Sequence, residues 1–97
     1  MNEEEEEILQ QQFQAVTAQK QSMQLQLNEL SRTIEEVEKS GESAELFEIV
    51  GQVMLKKSKN EIIKRLKERE ELIGIRVKSI NKSIEEITKK LQESKKP

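Results

Sequence analysis

Glutamate pairs recur through this 97-residue sequence, at Glu35-Glu36, Glu70-Glu71 and Glu85-Glu86. Two carboxylates held together in a dry pocket can divide general-acid and general-base work between them. Neighbours on a helix point in different directions, however, and nothing around these pairs shapes a pocket. The other groups that do chemistry are missing, for the chain has no His, no Cys and no Asp. Without imidazole or thiolate no catalytic site, no cofactor site and no metal site is expected beyond weak carboxylate contacts. The glycines, Gly41, Gly51 and Gly74, are too scattered for a phosphate-binding loop. Residues 49–97 carry a net charge of +7, which invites a nucleic-acid reading. Their basic groups alternate with glutamates, and no Tyr or Trp offers a stacking platform, so no nucleic-acid partner is expected.

The chemistry that remains is apolar contact. Apolar residues make up only 33% of the chain and charged residues 37%, too few apolar groups for an ordinary globular core. The absence of Asp alongside abundant Glu favours helix, because Asp competes for turns and caps while Glu propagates helices. The apolar groups must therefore be buried along a thin seam. No apolar run approaches the roughly 18 residues of a membrane span. Met1-Asn2 followed by Glu3 to Glu7 is the reverse of a basic signal-peptide start. These features predict a cytoplasmic protein with no membrane partner.

The seam is legible residue by residue. Residues 3–39 lack Gly and Pro and place Leu9, Phe13, Val16, Lys20, Met23, Leu27, Leu30, Ile34 and Val37 at alternating steps of four and three. This is a heptad stripe with one lysine in it, and it predicts a long helix. Ser40-Gly41 follows Lys39 and predicts a helix end with Gly just past the last turn. Ser58-Lys59-Asn60-Glu61 reads as a capping box opening a second helix over 59–94. Its seam is Ile63, Leu66, Glu70, Ile73, Val77, Ile80, Ile84, Ile87 and Leu91. Lys89, Lys90, Lys95 and Lys96 suit its C-terminal end.

Residues 46–57 have another character. Two short apolar runs, Leu46-Phe47 with Ile49-Val50 and Val53-Met54-Leu55, flank Gly51-Gln52. A Gly-X loop suits a type II′ hairpin that sets Val50 opposite Val53, Ile49 opposite Met54 and Glu48 opposite Leu55. Apolar side chains then cover both faces, so the hairpin needs other chains to complete its sheet. The two seams match end to end in antiparallel order, pairing Val37 with Ile63, Leu30 with Glu70, Lys20 with Ile80 and Leu9 with Leu91. A shift of one heptad would also preserve them. Charge supports the hairpin arrangement, since residues 1–48 carry −9 and residues 49–97 carry +7. The expected fold is mainly α: a single domain over 1–97, made of an antiparallel two-helix coiled coil with a short β-hairpin between the helices. The hairpin is expected to complete a sheet with other chains.

Heptad helix, hairpin and heptad helix together resemble the prefoldin family, in its archaeal beta-type branch. The most specific stretch is Phe47-Glu48-Ile49-Val50-Gly51-Gln52-Val53-Met54-Leu55-Lys56. It is similar to the family pattern of an aromatic, a polar residue, two aliphatics, Gly, and an aliphatic strand ending in Lys. Glu61, Ile62, Leu66, Arg76 and Val77 resemble the start of the family's second helix. The resemblance implies a hexamer of two alpha and four beta subunits whose hairpins build twin β-barrels. It also implies coiled-coil tentacles that hold unfolded polypeptide without ATP and pass it to a group II chaperonin. On this chain Leu46, Phe47, Ile49, Val50, Gly51, Val53, Met54 and Leu55 would serve assembly. Ile8, Leu9, Phe13, Val16, Ile84, Ile87 and Leu91, at the arm tip, would contact client. Ile8 is the most informative of these, since it lies beside the seam and has no packing duty there. The alternative is a non-enzymatic coiled-coil adaptor that binds specific folded partners.

Overall fold

The computed structural model describes residues 2–94. Its elements run α1 (Glu3–Lys39), β1 (Phe47–Val50), β2 (Val53–Lys56) and α2 (Lys59–Ser94). Both helices have the bounds that the heptad pattern predicts. The strands lie within the expected 46–57 and stop one residue short of it at each end, where the Lys57 N–H still donates to the Leu46 carbonyl at 3.0 Å.

α1 opens on Asn2, whose Oδ1 accepts the Glu5 backbone N–H at 2.8 Å, and the glutamates of the first turn complement the helix dipole. Its far end falls where Ser40-Gly41 predicts, just past Lys39, and a serine makes the cap. Gly51 is the one residue with positive φ among the described residues, so Gly41 does not act as a left-handed cap. Ser40 ends the helix instead. It turns to an extended conformation, and both its N–H and its hydroxyl donate to the Val37 carbonyl, at 3.2 and 2.6 Å. The Lys59 ammonium crosses from the start of α2 and donates to the carbonyls of Glu38 and Ser40, at 2.8 and 2.9 Å. A cation on the exposed carbonyl end of a helix is favourable, and here it also ties α1 to α2.

α2 begins as the capping box predicts, with the Glu61 N–H donating to Ser58 Oγ at 3.2 Å. No basic residue stands in its last turn, because Lys89 and Lys90 lie one turn earlier. Lys95 and Lys96 lie outside the described residues.

The helices run antiparallel along one seam. Among the described residues only Leu30, Ile34 and Ile73 are buried, all in the half of the arm nearest the hairpin. The remaining seam residues are half-buried, as expected when one helix covers just one side of another. The Ser31 hydroxyl donates to Glu70 Oε2 at 3.0 Å, which places Glu70 at the level of Leu30 and sets the expected register over one shifted by a heptad. Glu70 therefore finds a partner across the seam rather than only reaching for solvent. The molecule measures 67 × 25 × 14 Å, and its radius of gyration is 20.0 Å. A compact chain of this length would have about 13 Å.

Gly74 lies within α2 with open space where a Cβ would stand. Gly74→Ala should raise stability by about 1 kcal/mol, because the added methyl meets nothing and removes backbone freedom from the unfolded chain. Thermal unfolding followed by circular dichroism measures this, and a lowered melting temperature would contradict the open site.

Candidate assembly and capture surfaces

The hairpin is formed by local chemistry. β-branched and aromatic residues favour strand on either side of Gly51, whose φ of 60° suits the first central position of a type II′ turn. The register is the expected one: Phe47 faces Lys56, Glu48 faces Leu55, Ile49 faces Met54 and Val50 faces Val53. Every apolar side chain of the two strands is exposed, with Ile49 at 71% and Met54 at 63%. Leu46 is the exception among the expected assembly residues. It sits half-buried at the hairpin root. Single exposed apolar residues are ordinary, whereas a contiguous group on both faces of one small element marks a contact surface.

An ion pair joins the hairpin to the coil. Arg65 of α2 donates to Glu48 Oε1 of β1. Lys56 approaches Glu45 at 3.6 Å and Lys57 approaches Glu61 at 3.9 Å, both at the surface and of small energetic weight. The paired glutamates singled out in the sequence do not form a joint site. Glu70 is engaged by Ser31, while Glu71, Glu35, Glu36, Glu85 and Glu86 are exposed along the coil. Among the described residues no group of three or more acids could hold a metal ion. No described helix is long and apolar enough to cross a membrane.

At the other end of the arm, Ile8 is 53% exposed, as its position beside the seam predicts. Leu9, Phe13, Val16, Ile84, Ile87 and Leu91 are half-buried, each serving the seam while keeping part of its surface open. The tip thus presents an apolar strip on a narrow support, and its seam contains no fully buried residue. Leu25, Leu72 and Ile75 are also exposed along the middle of the arm, and sequence reasoning did not single them out. Their signal was available, because each is a large apolar residue off the heptad seam.

Two long antiparallel helices joined by a short, exposed apolar hairpin define the class of protein to which this fold belongs. The chain belongs to the prefoldin family, whose pattern, described as prefoldin subunit, matches residues 3–97. It is 36% identical over 87 residues to prefoldin subunit beta of Pyrococcus furiosus, covering 90% of this chain and 74% of the relative. With prefoldin subunit beta of Methanosarcina acetivorans it shares 38% identity over 88 residues, covering 88% and 75% of the two chains. The crystal structure of the prefoldin beta subunit from Thermococcus strain KS-1 superposes with a TM-score of 0.87 at 31% identity, covering 92% of this chain and 78% of that one. The beta2 subunit of the same strain shares the fold, with a TM-score of 0.83 at 17% identity, covering 96% and 99%. The relatives are archaeal and beta-type, as the hairpin motif implied.

Proposed function

We propose that this chain is a non-enzymatic subunit of a prefoldin-type holdase that assembles through its hairpin and captures unfolded polypeptide at its arm tip. The observation that carries the reading is that every apolar side chain of the two strands is exposed, on a chain whose own helices lead away from them. A lone two-stranded hairpin is marginal in water, so this one gains its stability from other subunits. The partners are an alpha-type subunit with two hairpins, in a ratio of two alpha to four beta, and further copies of this chain. Several arms then converge on one client. Each tip contact is weak, and their combination is strong through effective concentration, which permits capture without nucleotide and later release to a group II chaperonin.

The test dilutes a guanidine-unfolded client into buffer without ATP, with and without the chain and its two-hairpin partner, and follows light scattering. Suppressed aggregation at near-stoichiometric complex is the expected result. Unchanged aggregation, together with tight binding to one folded partner, would favour the adaptor reading instead.

A further inference from the structure

α2 carries a second heptad stripe beside its seam. Ile62, Arg65, Arg69, Leu72 and Arg76 follow one another at steps of three and four, each one residue ahead of a seam position. The stripe holds three of the chain's four arginines and none of its lysines. Arg65 is taken by Glu48. Arg69 and Arg76 are exposed, and among the described residues neither has an ion-pair or hydrogen-bond partner. Between these two arginines the coil has a groove of about 460 Å³, whose apolar lining is Leu30, Ile73 and the exposed Leu72. No residue of the hairpin or of the arm tip lines it.

An apolar patch between two unpaired guanidinium groups suits an apolar side chain flanked by carboxylates, which the arginine fork binds through paired hydrogen bonds. Arg69 and Arg76 stand seven residues apart, about 10.5 Å along the helix. Acids at i and i+7 of a second helix have the same spacing, and the residue at i+3 or i+4 then faces Leu72. A strand does not match, because its same-face residues fall about 6.7 or 13 Å apart. Glu29, on the α1 side of the groove, opposes a third acid in the middle. A second copy of this chain does not fit either. Where two of its glutamates stand seven apart, as at Glu61 and Glu68 or Glu86 and Glu93, no large apolar residue lies three or four positions after the first. We propose that this groove docks an acidic amphipathic helix of another protein, with acids at i and i+7 on the two arginines and a large apolar residue between them on Leu72. The surface is separate from the hairpin and the tip, so it adds a third contact to those of the proposed function.

Fluorescence anisotropy of the full chain tests it, with a labelled, helix-stapled Ala/Gln peptide carrying Glu, Leu and Glu at i, i+3 and i+7. The wild-type chain should bind this peptide with an affinity that falls as salt rises. A scrambled peptide of the same composition, and one with both Glu changed to Lys, should bind at least about tenfold more weakly. Arg69→Glu combined with Arg76→Glu should weaken binding of the Glu peptide by about a hundredfold and reverse the preference in favour of the Lys peptide. Leu72→Ser should weaken it by about tenfold. Circular dichroism confirms that each variant keeps its helices. A wild-type chain that binds no peptide, equal binding of the scrambled peptide, or a preference that does not reverse overturns the proposal. Light scattering in mixture with the two-hairpin subunit should show the same native mass for the double-arginine variant as for wild type. A fall in mass would assign the arginines to a subunit contact and overturn the proposal as well.

Discussion

Val50→Asp is expected to abolish assembly while leaving the arm folded. Val50 stands next to the turn, half exposed and opposite Val53, where a neighbouring sheet would cover it. An aspartate there costs little in the isolated chain, because the side chain is solvated. In an assembled barrel the same carboxylate would be buried without a partner, at a cost of several kcal/mol per subunit. Since each copy of this chain in the proposed complex carries the change, the penalty repeats at every one of its hairpins. In mixture with the two-hairpin subunit, native mass by light scattering should fall from that of the proposed hexamer to that of smaller species, with the helical signal retained. A variant that keeps the wild-type mass in mixture with a two-hairpin subunit would show that the hairpin is not the assembly element.

The second large effect belongs to the tip. Ile8→Ser together with Phe13→Ser should strongly reduce client protection without changing the native mass. Ile8 is exposed beside the seam, so its replacement should leave coil stability within about 0.5 kcal/mol. Phe13 is half-buried, and its loss should loosen the last turns of the arm as well as remove contact area. Each substitution subtracts on the order of 1 kcal/mol of apolar contact per arm. Multivalent capture multiplies that loss across the arms engaged, so overall client affinity should fall by about a hundredfold or more. Aggregation suppression measured against complex concentration reads the shift directly. If the double variant protects client as well as wild type, capture lies elsewhere, and the exposed mid-arm residues Leu25, Leu72 and Ile75 become the next surface to change.

Much of this protein was legible because its order is local or periodic. The bounds of α1 and α2 follow from a heptad spacing that never slips and from the residues that cap it, and the Gly51 turn follows from the glycine that accepts positive φ. Once the turn is set, strand register has no freedom, which is why Ile49 meets Met54 as expected. Asn2 three residues ahead of Glu5 was a readable cap signal as well. Ser40-Gly41 marked the end of α1 correctly, and the structure adds that the serine hydroxyl makes the cap by donating to the Val37 carbonyl.

The sequence by itself determined the two helices, the hairpin with its register, and the apolar character of both ends of the arm. These depend on spacing between near neighbours, which a linear pattern records in full. Only the tertiary structure decided how the ends are fastened and which surfaces stay open. Lys59 closes the carbonyl end of α1 from 19 and 21 residues away, Arg65 reaches Glu48 across 17, and Ser31 meets Glu70 across 39. A long charged side chain can find any of several partners on a polar surface. The choice among them depends on where antiparallel packing brings distant segments, and among the described residues that packing also leaves Arg69 and Arg76 without an acid beside their groove.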